Sequence, residues 1–379
     1  MNKQIALAAL AAVALAACSE NGGMTMGPRS AASLAARLAA DAAADGSGPG
    51  AVYALTNQTL GNAVAVFSRA ADGTLVAAGS VVTGGTGTGS GLGSQGALAL
   101  SDDGRWLFAV NAGSDEVSAF RVGPAGLSRT SLIGSGGARP ISLTVHENLL
   151  YVLNAGGDGN ISGFSVAPDG ALAPIPSSSR PLSGAGVGPA QVAFSSDGRW
   201  LVVTEKTTNR LDVYAVGPDG VTSGPTSYAS AGGTPFGFAF GHRDELFVSE
   251  ATGSASSYVL GASGGLVAVS GAIPTLQGAP CWLVVTTDGR FAYTANAQGA
   301  SISGFAVGTD GSIGLIDADG LTASVNRGNT DLAVSVNSRY LYQLDGSAIF
   351  GFRVQSDGHL APVGTVAGLP AGTVGLAAH

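Results

Sequence analysis

Short apolar runs recur along the chain, and each closes on a polar residue. WLFAVN, LLYVLN, WLVVTE, ELFVSE, FAYTAN and YLYQLD form the series, with AVYALTN near residue 51 as its first member. The closing positions are Asn57, Asn111, Asn154, Glu205, Glu250, Asn296 and Asp345. Each run reads as a buried strand. A second series follows it. Small, turn-forming triplets lie at 71–73, 124–126, 168–170, 218–220, 263–265, 309–311 and 356–358, each between two strand-like segments. Such triplets tolerate positive φ and predict hairpins. A third series precedes the apolar runs: ALALS, ISLTV, QVAFS, GFAFG, WLVVT and DLAVS, with GTVGLAA at 372–378 as the missing copy.

Three counts of seven, at intervals of about 50 residues and about four strands per unit, predict an all-β, seven-bladed β-propeller. The C-terminal strand completes the first blade and closes the ring, which removes sheet edges that would template aggregation. The propeller is expected over residues 50–379.

Composition agrees. The chain is 45% hydrophobic and 11% charged, with 60 glycines among 379 residues. Lysine is nearly absent, and the net charge of -8 excludes the basic stripe a nucleic-acid binder needs. Residues 1–17 read as a targeting segment: Lys3, a short alanine-rich apolar run, then Leu15-Ala16-Ala17-Cys18. That ending resembles the bacterial lipoprotein signal, which implies acylation of Cys18 and an exported, lipid-anchored protein of the cell envelope, facing the periplasm if Gram-negative. Residues 18–49 would be the tether. Cys281 is then the only other thiol, and no internal disulfide is expected.

Each inner strand starts at the end of the ring where the apolar runs finish, so both series meet at one mouth, the top. That mouth is expected to gather Glu205, Glu250, Asp331 and Asp345, the amides Gln191, Asn111, Asn154 and Asn296, and Trp282, with Arg139 and Arg327 on the loops that lead in. Crowded carboxylates in a half-buried mouth repel one another, and one of raised pKa serves as base or acid near neutral pH. The alternative is structural: polar strand ends bond the backbone of the next blade, and Trp282 plugs the channel. The histidines fall elsewhere, His146 and His242 at far-end turns and His359 on an outer hairpin, which leaves no histidine-rich metal site at the mouth. No cofactor is expected; the remaining metal reading is calcium or magnesium held by carboxylates and amides. GLGSQG at 91–96 fits a dinucleotide-binding glycine pattern but opens no helix, so it is set aside.

The repeats GPAQVAFSSDGRWLVVTE, DGRWLFAVNAGSDEVSAFRV and GGTPFGFAFGHRDELFVSEA resemble those of the lactonase-type seven-bladed propellers, among them 6-phosphogluconolactonases and carboxymuconate lactonizing enzymes. The resemblance spans roughly residues 50–379. It implies lactone hydrolysis with Glu205 in the site. Where many members read Gly-Pro-Arg-His, this chain reads Gly188-Pro189-Ala190-Gln191, and the cation and imidazole are gone. Two functions follow. One is an exported lactonase-like hydrolase in which Glu205 or Glu250 activates water against a small acidic lactone. The other is a non-catalytic envelope propeller that binds a protein, glycan or small ligand. In either case the chain is expected to act as a monomer, and the fold alone does not choose between them.

Overall fold

The computed structural model describes residues 48–326 and 328–379. Cys18, Arg327 and the expected signal and tether up to residue 47 lie outside the described residues. Among the described residues there is no helix, and the strands form seven antiparallel sheets, as expected from the repeats.

Blade 4 shows the plan. Pro189–Phe194 is the inner strand, followed outward by Trp200–Glu205, Arg210–Val216 and Thr222–Ala229. The second strand, apolar up to Val203, is buried on both faces, while the outermost is largely exposed. The inner strands of the other blades are Leu98–Leu100, Pro140–His146, Pro235–Phe240, Pro280–Val285 and Asp331–Val334. The last strand, Val374–Ala378, pairs with Gly50–Leu55 and supplies the inner strand of blade 1. Arg69 reinforces that closure, donating from Nε to the His379 carbonyl (3.0 Å) and from Nη2 to the Gly48 carbonyl (3.1 Å).

Two local devices shape the ends of the ring. At the far end, the Asp-Gly-Arg turns repeat one arrangement. Asp103 accepts from Ser101 and pairs with Arg105; Asp197 does so with Ser195 and Arg199, and Asp288 with Thr286 and Arg290. At the top, the residue before each inner-strand proline has positive φ: Arg139, Gly188, Thr234 and Ala279. The carbonyls of all four accept from the residue after the polar strand end: Ala155, Lys206, Ala251 and Ala297. The entry to each of these inner strands is thereby tied to the end of its neighbour.

Candidate functional site

The polar strand ends do not share one fate. Asn111, Asn154 and Asn296 are fully buried and donate to serines on the third strand of their own blade, Ser118 (2.8 Å), Ser162 (3.2 Å) and Ser303 (2.9 Å). Asp345 caps its turn, accepting from the amides of Ser347 and Ala348. These four hold the fold, the structural alternative for such positions.

Glu205 and Glu250 follow the same rule. Glu205 is fully buried; its Oε1 accepts from the Ser183 amide (3.0 Å), its Oε2 from the Ser183 and Thr208 hydroxyls (2.5 and 2.6 Å). Glu250 is equally buried and accepts from the Gly232 amide (2.7 Å) and from Ser230, Ser254 and Ser256. A Cβ at Gly232 would lie 2.0 Å from Glu250 Oε2, so only glycine lets the loop reach the carboxylate. Glutamate has the reach to bridge from its strand end to the incoming loop. The expectation that these carboxylates stand in the mouth is corrected by that reach: every oxygen is taken by a donor from a loop or from the third strand, and none meets solvent.

The top mouth is itself closed. Residues 84–96 cross it, and Gln95 inserts among the inner strands. Its amide bonds the main chain of Leu283 as a strand would, Nε2 to the carbonyl at 2.8 Å and Oε1 from the N–H at 2.9 Å. A Cβ at Gly237 would sit 2.0 Å from Gln95 Oε1, so glycine is required for the crossing. Trp282 donates from Nε1 to the Ser94 carbonyl (3.0 Å) and packs edge-on to Phe236, the plugging role rather than a ligand platform. Gln191 makes the same strand-like pair with Phe238 (2.9 and 2.7 Å). The segment set aside as a nucleotide motif, GLGSQG, is this plug. A sequence signal for it exists: the link between blades 1 and 2 runs over residues 83–97, against 135–139 between blades 2 and 3.

Below the plug a cavity of ≈ 340 Å³ runs down the ring axis to Asp102, His146 and Ser196 at the far end. Asp331 lies at its closed end, 2% exposed, accepting from the amides of Leu332 (2.8 Å) and Leu376 (3.0 Å). Burial pushes its carboxyl up to about 8. It is neutral at pH 7 and serves the channel wall.

A second hollow lies beside the plug on the top face. It holds ≈ 260 Å³ between Leu92, Arg139, Asp158, the segment Gly186–Pro189 and Lys206. Lys206 follows Glu205 directly, and its ammonium reaches the carbonyls of Gly93 and Pro189 while lying 5.0 Å from the centre of the Phe236 ring. Burial lowers its pKa to about 8, with the Arg139 charge adding to the effect. Arg139 is exposed, its backbone held by Asp115 (2.6 Å). Asp158 comes from the turn between the second and third strands of blade 3 and is exposed. Of the described residues expected at the mouth, Arg139 alone reaches this hollow. Lys206 and Asp158 were missed, although Lys206 is the only lysine in the propeller. Cys281, close enough for its thiol to interact with Lys206, is buried and pushed up to about 12, an inert thiol. Among the described residues no group of three or more His, Cys, Asp or Glu converges as a metal site.

A sequence model of the family described as "Lactonase, 7-bladed beta-propeller" matches residues 48–182, short of half of the chain. Over those residues the chain is similar to the lactonase-type seven-bladed propellers. Solved structures share the fold. The periplasmic gluconolactonase of Pseudomonas aeruginosa is 20% identical with a TM-score of 0.67, covering 86% of this chain and 98% of its own. A Lactobacillus plantarum protein reaches a TM-score of 0.71 at 16% identity over 86% and 98%. A Bacteroides fragilis protein named as a candidate 6-phosphogluconolactonase reaches 0.68 at 19% identity over 86% and 97%. No curated protein sequence matches the chain. The stretch Ala190-Gln191, where the resembling family reads Arg-His, lies at the plug. Ala190 is fully buried against the plug, its carbonyl accepting from the Gln95 amide, and Lys206 stands over the adjoining Pro189.

Proposed function

We propose that the protein hydrolyses small, acidic lactones in the hollow between Arg139, Asp158 and Lys206. The observation that carries this reading is the hollow itself: two cations and one carboxylate around a cleft floored by glycine backbone, on the top face of a lactonase-type propeller. Asp158 takes a proton from water, and the resulting hydroxide attacks the lactone carbonyl carbon. The ammonium of Lys206, with two of its donors already fixed on main-chain carbonyls, turns the third toward the developing oxyanion. The ring C–O bond then breaks, and Asp158 returns its proton to the leaving alkoxide. Arg139 holds a carboxylate on the substrate. Names of similar proteins, gluconolactonase among them, support a sugar-acid lactone as the substrate class.

The test is turnover by the full chain on a panel of acidic and neutral lactones, followed by acid release. Lys206→Met is expected to lower kcat by about 10²-fold, and Arg139→Ala to raise KM for the acidic lactones alone. If the folded wild type opens no lactone, the reading fails and the ring is a binding protein of the envelope. Location is part of the same proposal: the protein is exported and anchored through Cys18. Palmitate labelling in a bacterial host should be lost in Cys18→Ala, and persistent labelling would remove the anchor.

A further inference from the structure

The diagonal partner of each polar strand end lies on the third strand of its blade. It is Ser118 for Asn111, Ser162 for Asn154, Ser256 for Glu250 and Ser303 for Asn296, a hydroxyl every time. In blade 4 alone among these five the partner is an acid: Asp212, opposite Val203 and diagonal to Glu205. Asp212 is fully buried. Its Oδ1 accepts from Ser227, while its Oδ2 receives no hydrogen bond from a donor. Besides Ser227, the groups within hydrogen-bonding reach of Asp212 are the Glu205 carboxyl and the Ser183 amide. Two carboxyls that face each other out of water, with one amide between them, favour keeping a proton.

We infer that Asp212 keeps a proton against the buried Glu205 and that the two form a pH-sensitive latch on the segment 183–188. The latch works through Ser183, whose amide and hydroxyl are both bound to Glu205. Beyond Ser183 the chain runs into Gly186, Val187 and Gly188, which wall the candidate hollow. When Asp212 loses its proton to solvent, two adjacent anions remain in the seam, and they separate by letting the segment go. Burial raises the Asp212 carboxyl to about 7, with Glu205 adding to the rise, so the change falls near neutral pH. The ionisable groups on packed elements are Tyr214 and Arg210 on the strand of Asp212, Lys206 beside Glu205, Tyr228 on the outer strand and Arg180 on the incoming segment. Tyr214 donates to the Pro181 carbonyl, Lys206 to Gly93 and Pro189, Tyr228 to Gly264, and Arg180 to Ser177 and Ser179; no described hydrogen bond from any of the five reaches either carboxyl. Glu205 and Asp212 are therefore positioning residues. Their bearing on turnover rests on the reading of the hollow as a lactone site, but the latch itself does not.

Backbone hydrogen exchange of the full chain tests it without any activity measurement. Between about pH 6 and about pH 9, exchange in 183–188 should accelerate beyond the intrinsic base-catalysed rise. The matching segment 230–234, held by Glu250 and Tyr258, is the internal reference and should show only that intrinsic rise. Asp212→Ser installs the pairing found in the other blades and should bring 183–188 down to the reference, as should Asp212→Asn. Equal pH dependence of the two segments in the wild type overturns the latch, even if both variants fail to fold. So does an excess in 183–188 that survives in Asp212→Ser. If the latch holds and no lactone is opened, the function falls and the latch stands.

Discussion

Blades 4 and 5 both end their second strand on a fully buried glutamate, yet Glu205 and Glu250 keep different company. Glu250 is surrounded by donors: one amide and three serines. Glu205 has Ser183 and Thr208 on one side and a second carboxyl on the other. The next residue differs too, Ala251 in blade 5 and Lys206 in blade 4. The same strand end is thus a plain structural staple in one blade, and in the other it joins a buried acid pair beside the candidate hollow. A repeat protein reveals specialisation in this way, because sister blades show what the position does when only the fold is at stake.

The comparison breaks most visibly through stability. Glu250→Ala strands four donors in a seam with no surface, and should cost about 3 kcal/mol or more. Glu205→Ala strands three, but it also frees Asp212 from a like-charged neighbour, and should cost about 1–2 kcal/mol at neutral pH. Urea denaturation midpoints at fixed m-value give both numbers. Equal losses would mean that the pair in blade 4 carries no strain. A smaller effect sharpens the same point. An ordinary carboxylate titrates near pH 4 in the unfolded chain, whereas Asp212 is raised to about 7 in the fold. Its contribution is therefore fully present below about pH 4 and is lost as pH rises towards about 7. Asp212→Ser should lack that slope, and an unchanged slope would assign it to other groups, Asp331 first among them.

The ring was legible because its signals are local. Turn triplets such as Pro218-Asp219-Gly220, the apolar second strands and the spare strand at 372–378 each announce themselves within a few residues, and counting does the rest. The far-end placement of His146 and His242 was legible for the same reason. The candidate site was not. Whether Glu205 faces the channel or a seam depends on Ser183 arriving from the preceding blade and on Asp212 across the next strand, and neither relation is periodic. The plug was hidden because Gln95 finds its partner at Leu283, on the far side of the ring, and no local pattern encodes that pairing. Lys206 sits one residue past the strand end, outside all three repeating series. Its rarity was the usable clue, in a chain that otherwise relies on arginine.

The most direct measurement is kcat of Asp158→Asn beside Glu205→Gln, on any lactone the wild type opens, with circular dichroism to confirm the fold. If the chemistry lies in the hollow, Asp158→Asn loses about 10²–10⁴-fold, while Glu205→Gln keeps most of its turnover, because glutamine still accepts from Ser183 and can donate toward Asp212. Full turnover in Asp158→Asn with collapse in Glu205→Gln would return the catalytic role to the strand end and contradict this account.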